Sequence, residues 1–196
     1  MIYNERTQRH EQVVASARQM LTAARTAPKA RGVDIIEAIL VEGDDLKLLA
    51  ERMVEIGNNR NRPSFIRDAG NVLQAECIVA IGTRYQSLGL NCGHCGFATC
   101  AERENSQFST LNFIAKGSKT FGSQFQVPCS LNSIDVGIAV GSACATAADL
   151  RLDTRVMYSI GVAVEQLGWI GEGIHLTMGI AVSASSKNPF FDRPTK

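Results

Sequence analysis

The chain has 196 residues, of which 45% are hydrophobic and 20% charged, an ordinary balance for a globular domain. Its formal charge of +1, from 20 basic and 19 acidic residues, excludes the basic excess expected of an electrostatic nucleic-acid binder. The polar residues 1–12 do not resemble a signal peptide, and the longest apolar stretch, residues 136–148, is shorter than the roughly 20 residues that span a bilayer. We therefore expect a one-domain cytoplasmic protein that binds neither nucleic acid nor membrane.

Sequence periodicity predicts five elements in the first half of the chain. Asn4 is a suitable N-cap for a helix that ends before Pro28. The other four are, in order, a strand over residues 34–41, a charged helix from Asp44 or Asp45 to about Ile56, a helix over residues 63–74 and a strand over residues 76–81.

The second half is predicted to begin with a glycine- and cysteine-rich loop over residues 88–100. Residues 105–116 are ambiguous, and residues 117–128 are predicted to be irregular. A helix rich in small residues follows over 131–148, then a helix capped by Asp153 that extends to about residue 167, and a strand over 174–182. About six helices with three strands indicate an α+β layered domain.

The most specific motif is a run of three cysteines, Cys92-x2-Cys95-x4-Cys100, with Cys129 as a fourth candidate. Three thiolates in nine residues, on a loop that contains glycines, can surround a compact inorganic core such as a 4Fe-4S cluster. Cys129 follows a proline at a predicted helix start, where a thiolate is stabilised, whereas Cys144 lies inside the helix and is more simply a packing group. The alternatives left open are structural zinc, disulfides and unliganded core thiols.

The surroundings of these cysteines suit an anionic cluster. Gly93 and Gly96 can point backbone amides at sulfur, and the nearby cations Arg103, Lys116 and Lys119 would tune a reduction potential. His94 lies between two of the predicted ligands and is either a ligand itself or an exposed side chain.

Over most of its length the chain resembles a prokaryotic family of uncharacterised proteins that contain a ferredoxin domain. The resemblance is carried by the cysteine segment, by Pro128-Cys129 and by residues 24–34, 135–142, 155–159 and 188–193. The cysteine triplet is also similar to the iron–sulfur segment of corrinoid proteins in acetyl-CoA synthesis. These resemblances imply an iron–sulfur protein, with Cys92, Cys95, Cys100 and Cys129 as the ligands.

The outer parts of the chain resemble the nitroreductase fold. Such proteins have an Ala-Pro turn after the first long helix, here Ala27-Pro28, and a glycine-rich break before a late strand, here residues 168–173. The resemblance implies one nitroreductase-like domain over residues 1–196, with a mostly antiparallel central sheet and an iron–sulfur insertion over residues 88–130. It also implies a homodimer.

In that fold FMN lies at the dimer interface, with its phosphate held by basic side chains. The residues that match by position are Arg25, Lys29, Arg31 and Lys187. The alternative is a solvated basic turn whose charges pair with Asp34 or Glu37. Together these features predict an electron-transfer protein or a flavin-linked oxidoreductase, with an unknown redox partner protein or small-molecule electron acceptor. The alternative is a non-catalytic module in which the metal centre senses redox state or orders the insertion.

Overall fold

The computed structural model describes residues 1–106 and 128–191. In this part of the chain an antiparallel sheet of four strands lies between two layers of helices. The strands are β1 (Ile36–Glu42), β2 (Cys77–Arg84), β3 (Asp153–Met157) and β4 (Ile174–Ser183). The helices are α1 (Glu5–Thr26), α2 (Asp45–Asn59), α3 (Pro63–Val72), α4 (Cys100–Asn105), α5 (Ser130–Asp149) and α6 (Tyr158–Gln166), with a 3-10 turn over Ala30–Gly32.

One face of the sheet is covered by α1 and α5, which pack against each other. Along β2, alternate residues point to this face, and Val79 and Ile81 meet Ala17 of α1 and Ala139 of α5 in one core. Among the described helices only α5 is long and apolar enough to cross a membrane by length and composition. It is nevertheless a core helix of this domain, because one of its sides is buried against α1 and the sheet.

The opposite face carries α2, α3 and α6, with a second core that contains Ile78 and Ala80 of β2. Helix α6 lies very close to β4. A methyl group at Gly161 would lie 1.7 Å from the carbonyl oxygen of Thr177, so the backbones can approach only because this residue has no side chain. These apolar contacts on both faces fix β2 at the centre of the domain.

The strand order is β1-β2-β4-β3, and every neighbouring pair is antiparallel. The predicted helix from Asp153 to residue 167 is therefore wrong in its first part, since residues 153–157 form the edge strand β3. Only Met157 of this strand is buried, so its sequence shows little strand periodicity. The pairing of Asp153–Met157 with β4, which is distant in the sequence, decides its conformation.

The α+β fold with a mostly antiparallel sheet is confirmed. The predicted insertion over residues 88–130 leaves the sheet after β2 and returns to it through α5. Its middle part, residues 107–127, lies outside the described residues, as do the predicted cations Lys116 and Lys119.

Candidate metal centre

The cysteine-rich loop over residues 87–99 has no regular secondary structure. Its path depends on residues with positive φ, which are Gly89, Asn91, Gly93 and Gly96. Such backbone conformations turn the chain tightly and let successive N–H groups face one point. The loop therefore turns tightly at several positions, as the glycine content predicts.

The sulfur of Cys100 accepts hydrogen bonds from this loop. The Ser87 hydroxyl contributes most, and the backbone N–H of Asn91 donates to the sulfur at 3.4 Å. In return, the Asn91 side-chain oxygen accepts from the Cys100 amide at 2.8 Å. The hydrogen bond from Ser87, followed by those from the backbone, lowers the pKa of the Cys100 thiol against a smaller opposing effect of burial. The site thus favours a thiolate at Cys100.

A capping box fixes the position of Cys100 at the first residue of α4. The Thr99 hydroxyl accepts from the Glu102 amide at 3.2 Å, and the Glu102 carboxylate accepts from the Ala98 amide at 3.1 Å. The T-x-x-E pattern of residues 99–102 is a sequence signal for this short helix, which is absent from the predicted elements: the predicted loop ends at Cys100, and no element was predicted for residues 101–104.

Cys129 lies at the N-cap of α5, on the far side of the insertion, and is 7% exposed. The next residue joins this helix start to the cysteine loop, because the Ser130 hydroxyl donates to the carbonyl of His94 at 3.1 Å. The side-chain amide of Asn132, three residues after Cys129, donates to the carbonyl of Gln86 at 2.8 Å. Two hydrogen bonds therefore hold the beginning of α5 against the start and the middle of the loop that carries the other cysteines.

All four predicted ligands, Cys92, Cys95, Cys100 and Cys129, line one shallow cavity that is open to solvent. Cys144 does not line it; this residue lies in the middle of α5, where burial raises the pKa of its thiol against a hydrogen bond with Thr154. Within residues 1–106 and 128–191, no three His, Cys, Asp or Glu side chains are close enough to hold a single metal ion. The four cysteines thus line a common cavity, and no three of them form a group of this kind.

Three aromatic and basic side chains lie behind the cavity, two of which the sequence did not single out for this site. Arg103 is 1% exposed and lines the cavity, with its guanidinium carbon 4.8 Å from the centre of the Tyr85 ring. The Tyr85 ring is in turn 5.0 Å from that of His175. Burial, followed by the charge of Arg103, lowers the pKa of His175, so this side chain is neutral at pH 7.

The basic turn after α1 is built from contacts within the protein. Nη1 of Arg25 donates to the Asp34 carboxylate at 2.8 Å and to the Ile36 carbonyl at 2.6 Å. The Lys29 side chain is 5% exposed, and its ammonium donates to the carbonyls of Arg25 and Ala27 at 2.6 and 2.8 Å. Lys29 thus caps the C-terminal end of α1. Both cations lie near Asp34, which is the pairing that the solvated-turn alternative predicts, but the Lys29 side chain is buried and not solvated.

Arg31, with φ of 57°, joins this turn to the cysteine loop by a hydrogen bond to the Leu88 carbonyl at 2.6 Å. The turn is also held to α5, because the Ala30 amide donates to the buried Asp135 carboxylate at 3.1 Å. Lys187 is exposed in the segment after β4. The contacts of Arg25, Lys29, Arg31 and Lys187 with an FMN phosphate stay a prediction.

Comparison with known sequences shows two matches. A profile of uncharacterised proteins containing a ferredoxin domain matches residues 126–193. An uncharacterised protein from Archaeoglobus fulgidus is 37% identical over 197 residues, with both chains covered completely.

Solved structures share the fold. The chain resembles nitroreductase A from Vibrio parahaemolyticus with a TM-score of 0.52 and 13% identity, over 92% of this chain and 61% of that one. It resembles an oxidoreductase containing FMN with a TM-score of 0.51 and 17% identity, over 88% of this chain and 67% of that one. It resembles a nitroreductase-family protein from Clostridium difficile with a TM-score of 0.51 and 13% identity, over 89% of this chain and 74% of that one. At such low identities these likenesses establish a nitroreductase-like fold and nothing further.

Proposed function

Because this chain belongs to the family of uncharacterised proteins containing a ferredoxin domain, we propose that it is an iron–sulfur protein with a role in electron transfer. Its ligands are Cys92, Cys95, Cys100 and Cys129, and the centre is a 4Fe-4S cluster. The observation that carries the proposal is that these four cysteines, which come from both sides of the insertion, line the same cavity.

The geometry favours a polynuclear centre over zinc. Tetrahedral zinc, with Zn–S bonds of about 2.3 Å, gathers its four ligand atoms around one point. No three metal-binding side chains are gathered so closely in the described parts of the chain. Cysteines that line one cavity without forming such a group suit a polynuclear core, in which each sulfur binds a different iron.

A 4Fe-4S cluster supplies one-electron transfer at a potential that its surroundings set. The residues of this chain have three tasks around it. The cysteines bind the core, the Ser87 hydroxyl and the Asn91 amide hold the Cys100 sulfur by hydrogen bonds, and Leu88 gives the cavity an apolar part of its wall.

Flavin-linked oxidation is the second candidate, and the nitroreductase-like fold favours it. In this structure, however, Lys29 is engaged by carbonyls and Arg25 by a carboxylate and a carbonyl, so neither side chain is arranged to receive a phosphate. These residues do not fit the group as they lie here, and we derive no step through FMN.

The decisive experiment is iron and sulfide analysis of protein purified without oxygen, together with its absorption spectrum. We expect about four iron and four sulfide per chain and a broad band near ~400 nm that dithionite bleaches. The Cys129→Ser variant should lose the cluster and Cys144→Ser should keep it, since Cys129 lines the cavity and Cys144 does not. One equivalent of zinc without iron would overturn the proposal. A two-peaked flavin spectrum would support the second candidate, and a cluster that dithionite does not reduce would indicate a structural module.

The proposal includes a cytoplasmic homodimer. A reducing compartment keeps the six free cysteines available for metal. The outer side of α5 exposes Ile134 at 54% and Ile138 at 38%, an apolar strip that a second copy of the chain would cover. Light scattering should give twice the chain mass for the wild type and a smaller mass for Ile134→Glu, whereas a monomeric wild type would refute the homodimer.

A further inference from the structure

The basic turn after α1 contacts the chain on both sides of the insertion. Nη1 of Arg31 donates to the carbonyl of Leu88 at 2.6 Å, at the start of the cysteine loop, and Leu88 is a buried part of the cavity wall. The amide of Ala30 lies 3.1 Å from both oxygens of the Asp135 carboxylate, which is buried on α5 beyond Cys129. One short turn therefore joins the segment that leads into the cysteine loop to the helix that leads out of the insertion.

Arg31 supports the segment that surrounds the Cys100 sulfur. The Ser87 hydroxyl and the backbone N–H groups of residues 89–91 donate hydrogen bonds to this sulfur. Leu88 lies in the middle of these donors, and its carbonyl accepts the hydrogen bond from Arg31. Contacts of this kind, one step removed from a metal ligand, fix the orientation of the ligand. The Arg31 side chain thus holds the donors on which one of the predicted ligands depends.

Two unfavourable features of the chain meet at this turn. The backbone φ is 57° at Arg31 and 65° at Gly32, so two successive residues lie in the left-handed region, which is unfavourable for a residue with a side chain. The Asp135 carboxylate is 3% exposed, and a carboxylate in such a place is unfavourable unless it accepts hydrogen bonds. The bond from Arg31 to the cysteine loop and the bond from Ala30 to Asp135 offset these two costs, and both bonds join the turn to the insertion.

The same contacts disagree with a phosphate site. The resemblance to the nitroreductase fold places an FMN phosphate at three cations of this region, Arg25, Lys29 and Arg31. Arg25 donates to a carboxylate and a carbonyl, and Lys29 donates to the carbonyls at the end of α1. Arg31 donates to the Leu88 carbonyl. A phosphate would have to replace these acceptors, and the contact between the turn and the cysteine loop would be lost with them.

We propose that the turn over residues 29–32 positions the two parts of the four-cysteine centre relative to each other and does not bind a phosphate. Arg31 is a positioning residue that acts through the donors around the Cys100 sulfur. Asp135 is a positioning residue that sets α5, and with it Cys129, against the turn. The inference rests on the proposed function and deepens it, because it assigns the relative placement of the cysteine loop and Cys129 to this turn.

The test is the rate at which an excess of iron chelator removes iron from loaded protein, for Arg31→Gly, Arg31→Lys, Asp135→Leu and Asp135→Asn. Glycine accepts the positive φ and removes the guanidinium, whereas lysine keeps a donor. Leucine removes the acceptor of the Ala30 amide, whereas asparagine keeps one. The matched control is Arg155→Ala, which removes a guanidinium–carbonyl bond of the same length, 2.6 Å to Phe190, at the β3 edge of the sheet. Melting temperatures of the metal-free proteins separate a local effect from a general loss of stability.

We expect iron release to be about tenfold faster in Arg31→Gly and Asp135→Leu, as for the loss of a contact that orients a metal ligand. Release should stay close to the wild-type rate in Arg31→Lys, Asp135→Asn and Arg155→Ala. Loaded Arg31→Gly protein that releases iron at the rate of Arg155→Ala would overturn the inference. If Asp135→Leu does not fold, Arg31→Gly decides, because it changes an exposed residue and keeps the conformation of the turn accessible.

A second measurement addresses the phosphate. FMN is added to the wild type and to Arg31→Gly, and its fluorescence is recorded; we expect no change with either protein. Binding of FMN to the wild type that Arg31→Gly weakens would overturn the inference, since the turn would then hold the phosphate. A wild type without iron and sulfide contradicts the proposed function and this inference with it, whereas a loaded wild type with insensitive variants contradicts only the role of the turn.

Discussion

The sheet with its helical layers and the cysteine loop are stabilised in different ways. Seven of the eight residues of β2 are buried, and this strand is paired on both sides and packed on both faces. In the loop over residues 87–99, a few hydrogen bonds from Ser87, Asn91 and Ser130 determine the path. The sheet is thus stabilised by burial and strand pairing, whereas the loop depends on a few local hydrogen bonds. Changes in one region should leave the other nearly unaffected.

The largest effect is expected from Gly161→Ala in the layer that packs on β4. The added methyl would lie 1.7 Å from the Thr177 carbonyl oxygen, so helix and strand must separate. We expect a loss of about 3 kcal/mol or more in the free energy of unfolding, measured by urea denaturation. Gly137→Ala is the control, since its methyl meets open space and should stabilise α5 slightly. Equal stabilities of the two variants would contradict the close packing.

The second prediction concerns the loop. Cys92 is exposed, and Cys92→Ser should abolish binding of the iron–sulfur cluster while the metal-free protein melts within about 2 °C of the metal-free wild type. Iron analysis and thermal denaturation measure the two quantities on the same samples. If the metal-free variant unfolded at a much lower temperature, the two regions would not be independent.

A smaller effect is expected from Ser87→Ala. The hydrogen bond from Ser87 is the largest of the contacts that lower the pKa of Cys100, so its thiolate persists to lower pH than that of an ordinary thiol. In metal-free protein, alkylation of Cys100 should begin at lower pH than alkylation of Cys144, whose pKa burial raises. In Ser87→Ala the pH dependence of Cys100 alkylation should move to higher pH, while the pH dependence of Cys144 alkylation stays unchanged. Mass spectrometry of the labelled peptides gives both profiles, and an unmoved Cys100 profile would exclude the role of Ser87.

The smallest effect is expected from Arg31→Gly. Glycine accepts the positive φ of this position but removes the hydrogen bond to the Leu88 carbonyl. Hydrogen exchange should accelerate in residues 89–99 and stay unchanged in β2, because the lost contact holds only the loop. Unchanged exchange in the loop would show that other contacts are sufficient to hold it.

Most helices and strands around the site could be predicted from the sequence, because strong local signals mark their ends. Asn4 and Pro28 delimit α1, and the β-branched run of residues 76–81 corresponds to β2. The conformation of residues 153–157 could not be predicted in the same way, since an edge strand with one buried residue is defined by its partner β4. The strand order β1-β2-β4-β3 depends on the same long-range pairings.

The cysteines of the site could be predicted from the sequence, whereas the side chains around them could not. Cysteine spacing and the proline before Cys129 identified the four thiols that the structure brings to one cavity. The burial of Arg103 has no sequence signal, because arginine is rarely fully buried and the residues near it give no apolar pattern. The contact of the Tyr85 ring with Arg103 depends on the bend of the chain after β2. Glycine and asparagine at 89 and 91 were the available sign that this loop would turn its amides inward.

The position of Cys129 beside the other three cysteines has a mechanical consequence. Between Cys100 and Cys129 lie 28 residues, and a centre bonded to both sulfurs would be a cross-link that closes this excursion of the chain. By the entropy of loop closure, such a link is worth about 3–4 kcal/mol, as much as a disulfide over the same span. The metal centre would then be a reversible cross-link as well as an electron carrier, and its loss would remove the cross-link while the sheet remains folded.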